Sequence, residues 1–340
     1  MTHLSDTPSI AVIGAGSWGT ALANLLADKY PTVTLWCREQ EVADGITATH
    51  RNPLYMPDSP LNKNLIAETD LQAVASSHDV LVMVVPTQFT RAVLKQIKEH
   101  VSDSVTYVSA SKGVEVETLT LISQMYESIL GKDRLNQVCY LSGPSFARDV
   151  LDRKPIAVSI AGHDSDRVKM VQTLFHTRYF RTYGSDDVVG VELGGALKNV
   201  IALAAGISDG LGFGHSARAA LITRGLAEIN RLGRLLGAHS ETFSGLSGMG
   251  DLLLTATSDL SRNRRVGLGL GSGKTLEEIQ GGSKEVAEGV KTTLSVYRLS
   301  EKLKVEMPIT RAVYQIIYEN RKPKSVVTEL MERDLKIETE

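Results

Sequence analysis

The sequence predicts an α/β fold, a doubly wound sheet followed by an all-α C-terminal domain. Three observations carry that reading. Short β-rich runs alternate with helical stretches through the first half of the chain, the rhythm of βα units around a largely parallel sheet. The first such run passes through Gly14-Ala15-Gly16-Ser17-Trp18-Gly19 into an Ala/Leu-rich helix. The β signal fades after Asp187, and apolar residues then recur at helical spacing.

In chain order, strands are predicted over residues 10–13, 33–36, 80–85, 105–109, 138–141 and 157–160, with a further one at 180–183. Helices fall between most of them, for example over 89–99 and 119–130. In the second half the predicted helices cover 187–207, 216–236, 285–303 and 310–318, with Pro308 as a breaker just before the last. Glycine-rich joints at 206–214, 245–250 and 267–273 read as loops with sharp turns. The chain of 340 residues then divides into a dinucleotide-binding domain over 1–186 and a helical substrate-binding and catalytic domain over 187–340. A cleft between domains is the expected place for a substrate.

The glycine turn has the context that a G-x-G-x-x-G motif needs in a chain with 29 glycines. Gly14 permits the tight turn, Gly16 lets a pyrophosphate approach the backbone, and Gly19 lets the helix pack on the sheet. The free N–H groups and dipole at the helix start favour phosphate charge. This is the fingerprint of a Rossmann-type sheet. About 20 residues on, the end of the second strand carries the residue that reads the adenosine ribose. Here that stretch is Cys37-Arg38-Glu39. Arg38 suits a 2′-phosphate, and Glu39 beside it suits a 2′-hydroxyl. The reading favours NADPH and leaves NADH open.

Composition excludes several alternatives. A net charge of −2 gives no electrostatic case for nucleic acid or an anionic membrane. Residues 1–7 lack a basic and apolar leader pattern, and runs such as 80–85 and 201–207 are too short to cross a bilayer. Cys37 and Cys139 lack metal-like spacing and read as buried free thiols. No metal site is expected, and the setting reads as cytoplasmic.

Four clusters carry chemistry. Lys112, in Ser111-Lys112-Gly113, follows a strand end, where ligands of open α/β sheets bind. Gly143 and Ser145, in Ser142-Gly143-Pro144-Ser145-Phe146-Ala147, also follow a strand end and offer backbone and hydroxyl contacts. Lys198 interrupts an apolar, small-residue helix, with Val191, Gly195 and Ala202 on its face. A lysine is rarely buried unless paired or functional, and desolvation lowers its pKa and prepares it for proton transfer. Asp251 follows the tight turn Gly248-Met249-Gly250, where a side chain can be aimed. Ser261-Arg262-Asn263-Arg264-Arg265 gathers hydroxyl, guanidinium and amide donors suited to a phosphomonoester.

Taken together, these blocks resemble the bacterial NAD(P)-dependent sn-glycerol-3-phosphate dehydrogenases. The match runs from the glycine turn through Ser111-Lys112-Gly113, Leu193-Gly194-Gly195-Ala196-Leu197-Lys198-Asn199, Gly250-Asp251 and Ser261-Arg262-Asn263 to Val286-Ala287-Glu288-Gly289. The resemblance implies that Lys198 is the proton donor and acceptor at the substrate C2 oxygen, with Lys112 and Asp251 beside it. Proton transfer at neutral pH then requires desolvation or the charge of Lys112 to loosen its proton, and since pairing with Asp251 would oppose that, the expected task of Asp251 is orientation. It implies substrate contacts from Gly143, Ser145, Ser261, Arg262 and Asn263. It implies cofactor contacts from Ser17, Trp18, Arg38, Lys112, Ala147, Arg262, Val286 and Glu288. It further implies dihydroxyacetone phosphate and glycerol 3-phosphate as substrates, a cytosolic homodimer, and supply of glycerol 3-phosphate to phospholipid synthesis. Two competing readings remain: a related β-hydroxyacid or 2-keto reductase, which would not need the Ser261–Arg265 segment, and a non-catalytic NAD(P)-binding regulator, which would have no use for Lys198.

Overall fold

The structure is a computed structural model that describes residues 7–281, 287–335, 337 and 338. Its contacts divide the chain into one unit of Met1–Lys112 and Thr120–Glu192 and another of Gly113–Leu119 and Leu193–Glu340.

The first unit is built on eight strands: β1 Ile10–Ile13, β2 Val33–Trp36, β3 Leu65–Glu68, β4 Val80–Met83, β5 Thr106–Ser109, β6 Val138–Ser142, β7 Ile156–Gly162 and β8 Phe180–Ser185. Between them lie α1 Ser17–Ala27, α2 Gln40–Thr49, α3 Leu71–Ser76, α4 Thr87–Ile97, α5 Ile122–Leu130, α6 Ala147–Leu151 and α7 Ser165–Phe175. The strands form one sheet in the order β3-β2-β1-β4-β5-β6-β7-β8, parallel throughout except where β6 meets β7. Ile10 of β1 lies opposite Val33 on one side and Val80 on the other. Strand order therefore reverses between β1 and β4, and the crevice beyond their C-terminal ends is where such sheets take ligands. Side chains alternate between faces: Ile10 and Val12 enter one apolar cluster, Ala11 and Ile13 the other. Both faces are covered, which explains strands that read as continuous apolar runs.

The predicted strands are all present, 180–183 included as β8. β3 was not foreseen. It is a four-residue edge strand in which Ile66 and Glu68 are exposed, so its sequence lacks a buried strand's apolar run.

The second unit, among the described residues, is helical. Its elements are α8 Val188–Gly210, which begins in the first unit, α9 Gly214–Leu235, α10 Ser240–Ser244, α11 Asp251–Thr257, α12 Arg262–Gly271, α13 Leu276–Gln280, α14 Glu288–Leu303, α15 Pro308–Tyr318 and α16 Pro323–Met331. Pro308 is not a breaker ahead of α15 but its first residue, where a missing N–H costs nothing.

All three expected glycine-rich loops are largely helical, the one at 245–250 as the π-helical turn Leu246–Gly250. Gly206 and Gly210 lie in α8, and Gly267 and Gly271 lie in α12. For these two stretches the reason is a crossing of two backbones. A Cβ on Gly206 would stand 2.1 Å from the Arg264 carbonyl oxygen, and one on Gly267 would stand 2.1 Å from that of Leu203. The real turns are shorter and use Gly212, Gly214 and Gly273 at φ of 77°, 82° and 93°. α8 also corrects the argument against a membrane span. Its 23 residues are long and apolar enough to cross one, but its most apolar stretch is 89% buried inside the protein. Burial, not length, makes it a core helix.

Candidate functional site

In the sheet unit, the turn after β1 is shaped to leave a helix end open. Gly14 has φ of 117°, and a Cβ there would meet the Val84 carbonyl oxygen at 2.8 Å. A Cβ on Gly19 would stand 1.8 Å from the Gly14 carbonyl oxygen, so only glycine lets α1 sit this close to the turn. Gly16, by contrast, has nothing within 4 Å of where its Cβ would be. It precedes α1 without a side-chain cap, and the first turn holds no acidic residue. The first N–H groups thus keep their capacity for an anion. An uncapped helix start, with open space at the one glycine beside it, fits a dinucleotide pyrophosphate.

Asn52, absent from the sequence reading, braces this turn. It is fully buried and donates to the Ala15 carbonyl at 2.8 Å and to Thr20 Oγ1 at 2.8 Å, while Thr20 Oγ1 donates to Ala15. An asparagine in a loop 33 residues after Gly19 carries no local pattern, so no sequence signal marks it. Ser17 and Trp18 form the first turn of α1. Ser17 Oγ donates to the Tyr55 carbonyl at 3.4 Å, and the Trp18 indole N–H is buried without a hydrogen-bond partner among the described residues. Arg38 stands just past β2 with its side chain 71% exposed and pairs with Glu39 at 2.6 Å. The two residues that pulled the cofactor reading in opposite directions therefore bind each other.

The loops after β5 and β6 bring three more expected residues together. Lys112 Nζ donates to the Gly143 carbonyl at 3.3 Å, and Ser145 Oγ donates to the same oxygen at 3.0 Å. Gly143 has φ of 143°, with Val158 Cα 2.9 Å from its would-be Cβ. Ala147 opens α6. A small cavity nearby is lined by Ser109, Lys112, Tyr140, Ser142 and Glu192. Glu192 accepts from the Ser123 N–H and hydroxyl at 2.8 and 2.5 Å; removal from water still pushes its carboxyl up to about 7.

In the helical unit, Lys198 and Asp251 meet. Lys198 is 8% exposed, Asp251 is 1% exposed, and Nζ lies 2.5 Å from Oδ1. The expectation that Asp251 orients without pairing is corrected: the ion pair is direct. A π-helical turn, Leu246–Gly250, delivers Asp251 to the start of α11. That turn packs on α8 at Gly194, whose Cβ would stand 2.2 Å from the Ser247 carbonyl oxygen. Thr255 Oγ1 donates to the Asp251 backbone carbonyl at 2.6 Å.

The Ser-Arg-Asn run is the N-terminus of α12. Ser261 is its cap and accepts from the Arg264 N–H at 3.2 Å; Arg262 is the first helical residue and exposed. Asn263 is buried. Its amide donates to Asn199 Oδ1 at 2.9 Å, and its carbonyl accepts from the Gly289 N–H at 3.0 Å. It therefore ties α12 to the residue after Lys198 and to the start of α14, where Glu288 is the first residue. Val286, the remaining expected cofactor contact, lies outside the described residues. Among the described residues no group of His, Cys, Asp and Glu is placed to hold a metal ion.

Known proteins share this arrangement across the chain. Residues 9–168 match the N-terminal family described as NAD-dependent glycerol-3-phosphate dehydrogenase, and residues 187–328 match its C-terminal counterpart. The chain belongs to the NAD-dependent glycerol-3-phosphate dehydrogenase family. A family member from Syntrophotalea carbinolica, a glycerol-3-phosphate dehydrogenase (NAD(P)+), is 52% identical over 97% of this chain and 99% of its own. One of the same name from Leptospira biflexa is 54% identical over 97% of this chain and 99% of its own. The crystal structure of glycerol-3-phosphate dehydrogenase from Coxiella burnetii superposes with a TM-score of 0.91 at 40% identity, covering 96% of this chain and 99% of that one. A ketopantoate reductase from Ralstonia eutropha, at 14% identity and a TM-score of 0.60 over 95% of this chain and all of its own, shares the fold alone.

Proposed function

We propose that this protein interconverts dihydroxyacetone phosphate and sn-glycerol 3-phosphate with an NAD(P) cofactor, Lys198 carrying the proton. The observation that carries the reading is the buried Lys198–Asp251 pair, Lys198 reaching it from α8. A buried ion pair is a poor way to stabilise a fold compared with apolar packing, so its retention here points to chemistry. Membership in the family supports the same substrates.

The nicotinamide, when bound, supplies the hydride for C2. Lys198 Nζ donates a proton to the C2 oxygen in reduction and takes it back in oxidation. Asp251 fixes where Nζ points through a charge-assisted hydrogen bond. Lys112, Gly143 and Ser145 form the contact group at the sheet's C-terminal end. Ser261 and Arg262 grip the phosphate at the start of α12, where the helix N-terminus adds its own attraction for an anion. That remote binding energy aligns C2 for reaction. Asn263 supports this grip by holding α12, since both ends of its amide are engaged within the protein. Gly14, Gly16, Ser17, Trp18, Gly19, Arg38, Ala147 and Glu288 complete the cofactor site.

Arg38 gives the site its lean toward NADPH; its pair with Glu39 is exposed and therefore weak. The protein works in the cytoplasm as a homodimer and feeds phospholipid synthesis. Two buried free thiols agree with a reducing compartment. The test is cofactor oxidation followed by absorbance with dihydroxyacetone phosphate, in the native protein and in Arg38→Ala. Turnover is expected with both cofactors. The substitution should raise the KM for NADPH about tenfold, a loss of ~1.4 kcal/mol, and leave that for NADH unchanged. Equal effects on both cofactors remove Arg38 from the 2′-phosphate role. Turnover of non-phosphorylated 2-keto acids in place of dihydroxyacetone phosphate would favour the reductase reading instead.

A further inference from the structure

Arg264 follows Arg262 by two residues on α12, which places it on the other side of the helix. It is 9% exposed, and all of its guanidinium nitrogens are engaged. Nε and Nη2 donate to Asp209 Oδ2 at 3.0 and 2.6 Å, and Nη1 donates to Asp259 Oδ1 at 2.5 Å. The other oxygen of Asp209 accepts from Arg218 Nε at 2.8 Å. Asp209 lies near the end of α8, about three turns after Lys198, and its side chain is 6% exposed. Between Lys198 and Asp209 the two backbones touch at Gly206 and Gly267, with no side chain to act as a spacer.

The glycine contacts bring the two helices together without an interlocking ridge, and the Asn199–Asn263 hydrogen bond ties them at one point, about which the helices can still turn. Two guanidinium N–H groups converging on Asp209 Oδ2, with Arg218 holding the other oxygen, limit that freedom by fixing where the guanidinium sits against α8. The arrangement also burdens the fold. Two buried charges stabilise less than an apolar pair of the same volume, so geometry is the return.

We propose that Asp209 and Arg264 are positioning residues, whose ion pair sets the height and rotation of the first turn of α12 relative to Lys198 and thereby aims Ser261 and Arg262 at the substrate phosphate. This rests on the reading of Ser261 and Arg262 as the phosphate grip.

The test compares Arg264→Lys and Asp209→Glu, both of which keep the charge and so protect folding. Dihydroxyacetone phosphate and dihydroxyacetone are the paired substrates, and Arg262→Ala is measured in parallel. In the two positioning variants kcat/KM for dihydroxyacetone phosphate is expected to fall about 10- to 100-fold, the scale of a misplacement near 1 Å. The kcat/KM with dihydroxyacetone, which has no phosphate to aim, should stay unchanged. Thermal melting, followed by circular dichroism, reports the fold. Equal losses on both substrates, or an unchanged kcat/KM for dihydroxyacetone phosphate in folded protein, overturn the proposal. If Arg262→Ala leaves the preference for the phosphorylated substrate intact, the phosphate-grip reading itself falls. If Arg262→Ala loses that preference while both charge-conserving variants keep it, only the positioning role falls.

Discussion

At the start of α1, a Cβ on Gly16 would meet nothing within 4 Å; on α8, one on Gly206 would stand 2.1 Å from a carbonyl oxygen of α12. The same residue type leaves space at Gly16 and removes it at Gly206. The sheet unit uses glycine to keep a helix terminus bare for an anion. The helical unit uses it to press two helix backbones together, so that residues far apart in sequence, Asn199 and Asn263, share a hydrogen bond. Glycine content therefore does not by itself mean loop: Gly14 and Gly16 border a turn, whereas Gly206, Gly210, Gly267 and Gly271 are helix.

The largest expected effect separates chemistry in one unit from cofactor grip in the other. Lys198→Ala should lower kcat about 10²- to 10⁴-fold, the usual worth of a positioned acid–base group. NADPH affinity, read by fluorescence titration, should survive, because the glycine turn is untouched. Near-native turnover would sink the role of Lys198. A loss of NADPH binding would show that the two tasks are not separable.

The next pair tests the two uses of glycine directly. Gly267→Ala forces a Cβ into the Leu203 carbonyl and should cost about 1–3 kcal/mol in chemical denaturation, as overpacking does. Gly16→Ala meets open space and should leave stability unchanged, but should weaken cofactor binding about tenfold or more, since ~1.4 kcal/mol of lost contact suffices. The contrast breaks if both variants lose stability alike.

The smallest effect concerns the thiols. Cys37 and Cys139 are fully buried, and burial pushes each thiol up to about 12. Native protein at pH 8 should resist alkylation by iodoacetamide, while denatured protein takes two equivalents, counted by mass spectrometry. Rapid labelling of native protein at either position would show that the sheet opens there.

Much of this molecule was legible because its signals are local. The strands around β1, the glycine turn and the long apolar run of α8 each declare themselves within a dozen residues. β3 was illegible because a short, half-exposed edge strand buries too little to show an apolar run. Asn52 was illegible because its partners, Ala15 and Thr20, lie far back in the chain and set no spacing. Asn263 was legible as part of a polar run, but not that its amide is engaged by Asn199 and Gly289.

Residue type and short-range order alone determined the doubly wound sheet, the helical second half, the dinucleotide turn and the candidacy of Lys198. Those features follow from hydrophobic period and from glycine's backbone freedom, which act over a few residues. Only the tertiary structure decided that Asp251 pairs with Lys198, that Arg264 faces Asp209 rather than solvent, and that glycine-rich stretches read as joints are helices in contact. Each of those depends on which backbones cross and how closely, and a buried polar group finds its partner through that crossing, whatever the separation in sequence.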